Sequence, residues 1–165
     1  MSSRIFPVDS NRPLLRIVAG EFAASDEPVV LQTLLGSCVA ACLFDPVAKI
    51  GGMNHILLPG DDCPAITHSH PRYGMYAMEL LVARMEELGA IRNRLQAKIF
   101  GGAHVISSVA LEFGPGPRNI SHVRDYLMRH SIPVIGYDTG GAMTRILHFV
   151  SDTFEIYVRK VQLTF

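Results

Sequence analysis

The sequence has no net charge: 15 lysines and arginines balance 15 aspartates and glutamates. A dedicated binder of nucleic acid or of anionic membrane needs a basic surface, so this balance argues against both partners. No apolar stretch approaches the roughly 20 residues of a membrane-inserted span. The opening residues, Met1-Ser-Ser-Arg-Ile-Phe-Pro-Val-Asp9, lack the apolar centre of a secretory signal, so the expected compartment is cytoplasmic. Cysteine is scarce. Cys38, Cys42 and Cys63 are an odd number with no CxxC pair, which predicts reduced thiols rather than a disulfide framework. There is also no internal repeat, low-complexity tract or long linker.

What remains is a globular composition, 48% hydrophobic and 18% charged over 165 residues. That length predicts a single domain over 1–165, with an irregular, proline-containing arm at 1–13. A chain of this size buries about 70% of its unfolded surface and needs no metal or disulfide to fold. Leu14 to Ala24 reads as a short strand, and Val29 to Leu35 as another. Cys38 to Phe44 is a continuous apolar run, the pattern of a strand buried on both faces. Asp45-Pro46 signals a turn, and Ile50 to Leu58 resumes the apolar pattern. Tyr73 to Leu88 predicts a helix with Tyr73, Ala77, Leu80, Leu81 and Leu88 on its inner face and Gly89 as terminator. Ala97 to Phe100 reads as a strand. Asn119 to His130 reads as a second helix with Ile120, Val123 and Leu127 inward and Asn119 as its cap. Ile132 to Tyr137, Ile146 to Val150 and Phe154 to Val161 read as strands, the last two as a hairpin across Ser151-Asp152-Thr153. The expected class is α+β: a mixed or antiparallel β-sheet layered with helices in an α/β sandwich.

One stretch carries chemistry. In Gly36-Ser37-Cys38 a thiol stands at the start of a buried strand, where backbone N–H groups are open to stabilise an oxyanion. A cysteine attacks as thiolate and therefore needs a base, usually histidine. His55 is the nearest in sequence. If Cys38–Phe44 and Ile50–Leu58 pair with Phe44 opposite Ile50, Cys38 faces Ile56 and His55 points to the other side. A shift of one residue, hosted by a bulge at Gly51-Gly52, sets Cys38 directly across from His55, with Cβ atoms about 4.5–5.5 Å apart. The competing account is that a cysteine in an apolar strand is a small hydrophobe, which suits Cys42.

The run Leu34-Leu-Gly-Ser-Cys-Val-Ala-Ala-Cys-Leu-Phe-Asp45, followed by Gly51-Gly-Met-Asn-His-Ile-Leu-Leu-Pro59, resembles the CheD family, the chemoreceptor glutamine deamidases of bacterial and archaeal chemotaxis. The likeness continues through Arg72-Tyr-Gly-Met-Tyr-Ala-Met-Glu-Leu-Leu81, Lys98-Ile-Phe-Gly-Gly-Ala103, Arg118-Asn-Ile120, Ile132-Pro-Val134 and Gly140-Gly141. It implies a cysteine-hydrolase-like site without cofactor or metal, in which Cys38 is the nucleophile, His55 the base and Thr33 an assisting threonine. Gly36 and Ser37 would supply the oxyanion and substrate contacts. Met75 stands where the family pattern leads one to expect an acidic residue.

The implied reaction is conversion of receptor glutamine side chains to glutamate through a cysteine thioester, with glutamate methyl esters entering the same cycle. The implied partners are the cytoplasmic helices of methyl-accepting chemoreceptors and a CheC-type phosphatase. Two rival readings belong to other classes. One is a largely non-catalytic adaptor that binds those same partners. The other is a metal-binding module built on Cys63, His68 and His70, completed by His55 or His104, although zinc ligands are usually closer and paired. His104, His122, His130 and His148 read as ordinary surface or core residues. Gly101-Gly102 is no phosphate loop, since no Gly-Lys-Ser/Thr follows.

Overall fold

The structure, a computed structural model, describes residues 11–57, 74–105 and 114–162. Its described strands form two sheets. The five-stranded sheet runs β2 (Phe22–Ser25), β5 (Ile50–Asn54), β4 (Val39–Asp45), β6 (Gln96–Gly101), β7 (Val134–Thr139). The four-stranded sheet runs β1 (Leu14–Arg16), β3 (Val30–Leu35), β8 (Thr144–Val150), β9 (Ile156–Val161). Both are mixed: β1 pairs parallel with β3 and β6 parallel with β7, and the other pairings are antiparallel. Helices α1 (Gly74–Glu87) and α2 (Pro115–Arg129) cover one face of the five-stranded sheet. The fold is α+β as expected, but the helices layer on only one of two sheets.

Strand β4 explains the layering, because every one of its residues is buried. Val39, Ala41 and Leu43 pack toward the helices with Ala77, Leu81, Val123 and Leu127. Ala40, Cys42 and Phe44 pack the other way, onto Leu31, Leu35, Leu147 and Phe149 of the four-stranded sheet. Alternation of side chains along a strand produces this division. Each fully buried leucine or isoleucine contributes about 1.5–3 kcal/mol to holding these layers together.

Several elements differ from their sequence expectation. The strand anticipated over Leu14 to Ala24 is two strands in different sheets, separated by a reversal in which the Glu21 N–H donates to the Val18 carbonyl at 2.9 Å and Gly20 has φ +84°. Of the expected inner face, Leu80 in α1 and Leu88 just after it are only partly buried and Tyr73 lies outside the described residues, while Met78, Val82 and Met85 are fully buried. The sheet and α2 cover a wider arc of the helix than one stripe. Helix α2 begins at Pro115 after Gly114, so Asn119 is not its cap but a fully buried residue inside it. Proline suits the first helical turn because its missing N–H would have no partner there.

At the turn after β4 the Asp45 carboxylate is fully buried. It accepts from the N–H groups of Val47, Ala48 and Ile91 at 2.9, 3.0 and 2.9 Å and from Arg94 Nε at 3.0 Å. Burial works to raise its pKa, but these bonds outweigh it and hold the carboxyl at about 2.

Candidate active site

The β4–β5 register settles the relation between Cys38 and His55. Asp45 pairs with Ile50, Phe44 with Gly51 and Cys42 with Met53, and the ladder runs through Gly51-Gly52 without a bulge. Val39 closes a further bridge with Ile56, their N–H groups and carbonyls exchanging bonds of 3.1 and 2.8 Å. The pairing is thus shifted one residue from the simple hairpin, in the direction opposite to the one anticipated. Extending this register puts His55 level with Ala40 and Cys38 level with Leu57, so Cys38 and His55 are diagonal rather than directly opposed. Diagonal positions of a regular ladder share a face, with Cβ atoms about 7 Å apart.

Asn54 prepares this place. Fully buried, it accepts the Ala41 N–H with its side-chain oxygen at 2.9 Å, where a regular ladder would use the backbone carbonyl. The next residue then turns its backbone elsewhere: the His55 N–H donates to the Glu21 carbonyl at 3.0 Å and its carbonyl accepts from Gly20 at 2.9 Å. His55 is thereby held at the junction of three strands.

Its imidazole reaches the other sheet. Thr33, which shares the inward face of β3 with Leu31 and Leu35, places Oγ1 2.7 Å from His55 Nδ1. The same hydroxyl donates its one proton to the Ile17 carbonyl at 2.6 Å. Oγ1 can then only accept from the ring, which puts the proton on Nδ1 and leaves Nε2 with a lone pair. Nε2 is buried and has no partner among the described residues. Burial depresses the His55 pKa to about 4, although the Ile17 carbonyl and the Glu21 charge pull it upward. The ring is neutral at pH 7.

The segment before Cys38 is fixed by its carbonyls. Gly36 O accepts from the Ala103 N–H at 2.9 Å, Ser37 O from Asn119 Nδ2 at 3.2 Å and Cys38 O from the Gly102 N–H at 2.8 Å. In a trans peptide the N–H points opposite to the carbonyl, so the N–H groups of Ser37 and Cys38 face away from these anchors. Cys38 is half-buried at the edge of the core between the sheets. Burial pushes its thiol pKa up, and its own backbone N–H works against that rise. Cys42 on the same face is fully buried, with its thiol pKa driven further up by desolvation, and acts as packing.

The structure therefore brings Thr33 and His55 into contact and sets Cys38 on the same face, with Gly36 and Ser37 leading into it. Cys63, His68 and His70 lie outside the described residues. Sequence reasoning missed Asn54 and the inward role of Asn119. The signal for Asn119 was present: it stands four residues before Val123 and eight before Leu127, on the stripe that faces the core.

The fold is thus α+β, with two mixed sheets and two described α-helices, and the Cys38 thiol and the buried His55 imidazole lie where the sheets meet. Comparison with known proteins gives the family. Residues 57–160 match the sequence model of the family described as CheD chemotactic sensory transduction. The chain is 43% identical over 162 residues to "Probable chemoreceptor glutamine deamidase CheD 1" of Shewanella oneidensis, covering 97% of this chain and 78% of the relative. It is 45% identical over 150 residues to "Probable chemoreceptor glutamine deamidase CheD" of Stenotrophomonas maltophilia, covering 88% and 72%, and 40% identical over 164 residues to a protein of the same name in Burkholderia vietnamiensis, covering 98% and 66%. The chain belongs to the CheD family. Among solved structures, the hypothetical protein YfiH of Bacillus licheniformis overlays 71% of this chain and 49% of its own at 16% identity, with a TM-score of 0.46.

Proposed function

We propose that the protein deamidates glutamine side chains on the cytoplasmic helices of chemoreceptors, with Cys38 as nucleophile, His55 as general base and acid, and Thr33 as the group that fixes the imidazole. The observation that carries this reading is the buried Nε2 of His55, without a partner among the described residues, on the face that holds Cys38, with Nδ1 held by Thr33. The names of the relatives support the substrate.

With the thiol pKa raised and the imidazole pKa lowered, the resting pair is neutral. The proton therefore leaves Sγ as attack proceeds. Sγ bonds to the carboxamide carbon, Nε2 takes the thiol proton, and the carbonyl oxygen becomes an oxyanion facing the N–H groups of Ser37 and Cys38. Collapse breaks the C–N bond, and Nε2 returns the proton to the departing ammonia. A thioester remains. Water then gives a proton to Nε2 and attacks the thioester, and the Cys38 thiol leaves with that proton to free glutamate. The sum is glutamine plus water to glutamate plus ammonia. A glutamate methyl ester follows the same course with methanol as leaving group.

The test incubates receptor cytoplasmic fragments with the protein and with its Cys38→Ala variant, and follows glutamine-to-glutamate conversion by peptide mass spectrometry. Conversion by the parent alone is expected. Equal conversion by both would remove Cys38 as nucleophile, and none by either, with the fragments still bound, would establish the adaptor reading.

A further inference from the structure

We propose that Asn119 is a positioning residue for the nucleophile, whose side-chain amide ties the peptide before Cys38 to the chain after His55. The inference rests on the deamidase reading and extends it to a residue on α2, a helix that supplies none of Cys38, His55 and Thr33.

Asn119 Nδ2 has two hydrogens, and both are used across the site. One goes to the Ser37 carbonyl at 3.2 Å and the other to the Leu57 carbonyl at 3.1 Å. Val39–Ile56 is the last described bridge between these two chains. Beyond it, Asn119 joins them in place of a ladder bond. Because the Ser37–Cys38 peptide is planar and trans, fixing its carbonyl on Asn119 fixes the Cys38 N–H on the opposite side. That N–H is the group that opposes the rise of the Cys38 thiol pKa.

A second observation ties the same helix to the same loop. A Cβ at Gly116, one turn before Asn119, would stand 2.6 Å from the Gly102 carbonyl and 2.7 Å from that of Ala103. The segment that α2 approaches so closely is the one whose N–H groups hold Cys38 O and Gly36 O. Helix α2 thus grips the nucleophile loop at two points, by close backbone approach and by the Asn119 amide.

The residue is not one that core stability would select. Asparagine is a weaker helix former than leucine or alanine, and Asn119 is wholly buried with Oδ1 lacking a partner among the described residues. An apolar side chain at this inner-stripe position would pack without an unsatisfied oxygen. Orientation of the loop accounts for the amide.

The test compares the parent with Asn119→Ala, Asn119→Asp, Leu127→Ala and Cys38→Ala, measuring kcat and KM on receptor fragments, Tm, and the pH profile of Cys38 alkylation by iodoacetamide. Leu127 is fully buried on the same helix and serves as the control for destabilisation. Asn119→Ala is expected to lower kcat about 100-fold with KM within about twofold. The midpoint of its alkylation profile should rise, while Leu127→Ala keeps the parent profile and kcat. Asn119→Asp keeps the shape without the two donors, and decides the question if the alanine variant does not fold. An Asn119 variant with the parent's kcat and alkylation profile overturns the inference, as does a loss that Leu127→Ala matches. Full conversion by Cys38→Ala instead removes Cys38 as the nucleophile and conversion by no protein, the parent included, overturns the deamidase reading, whereas the alkylation profile decides in either case whether Asn119 positions the Cys38 thiol.

Discussion

His55 and Thr33 meet across the space between two sheets, Nδ1 to Oγ1 at 2.7 Å, although 22 residues separate them in the chain. The threonine proton is already committed to the Ile17 carbonyl, so the contact assigns the tautomer of the ring as well as its orientation. Neither strand could do this alone. The hydroxyl comes from the four-stranded sheet and the imidazole from the end of β5.

Thr33→Val should therefore strip the Nδ1 proton of its acceptor and the Ile17 carbonyl of its donor. Each buried group left without a partner costs about 1–3 kcal/mol, so a fall in Tm is expected. Deamidation kcat should fall about tenfold to 100-fold, because the imidazole loses both its tautomer and its aim. Thr33→Ser keeps the hydroxyl and should retain most activity. Steady-state kinetics on a receptor fragment, with nitrogen-15 spectra of the imidazole, would check both variants; unchanged kcat in the valine variant contradicts the role.

The buried imidazole also sets a pH dependence of stability. The folded pKa of about 4 lies below the unfolded value of about 6.5, so on acidification the unfolded chain takes up the proton first. The contribution of neutral His55 is complete above about pH 6.5 and is lost as pH falls toward 4. It amounts to roughly 3 kcal/mol at most. His55→Gln should flatten the denaturation midpoint between pH 6.5 and 4. Asp45 acts lower, since a carboxyl held at about 2 loses its contribution only below about pH 4. Urea titrations at several pH values separate the two windows.

Two cysteines of one strand region should differ sharply toward alkylating reagents. Cys38 is half-buried, while Cys42 is 0% exposed and hemmed in by both sheets. In the native protein, brief iodoacetamide treatment should label Cys38 and leave Cys42 untouched until the protein unfolds. Peptide mass mapping reads each site separately. Labelling of Cys42 at the rate of Cys38 would contradict the packing described.

Gly101 is the position where backbone freedom matters most to the site. Its φ is +99°, and a Cβ there would collide with the Cys38 carbonyl oxygen. Gly101→Ala should displace Cys38 and break the bond from the Gly102 N–H. A loss of activity of at least tenfold is expected, together with a stability cost of about 1–3 kcal/mol from the strained conformation. Activity assays and thermal unfolding on the same preparation test both effects.

Much of this site was legible in the sequence because local patterns encode local structure. The apolar run after Gly36-Ser37 predicted a strand buried on both faces, and β4 is one. Glycine after Leu88 predicted the end of α1, and Gly89 adopts φ +112° there. The hairpin register was not legible. A one-residue shift alters no composition or periodicity, and here it depends on the Asp45 turn and on Asn54 replacing a backbone acceptor. The reversal at Gly20 was hidden as well, because Leu14 to Ala24 is apolar enough to read as one strand.

The sequence by itself determined most of the elements and the family, and singled out the candidate thiol, imidazole and hydroxyl, since these rest on residue type and short-range order. Tertiary structure alone decided which groups meet. Thr33 reaches His55 only because two sheets stack, and Asn119 reaches Ser37 and Leu57 only because α2 lies against the Gly101–Ala103 segment. Hydrogen bonds reach about 3 Å, whereas sequence spacing says nothing about distance between segments that fold onto one another from different layers.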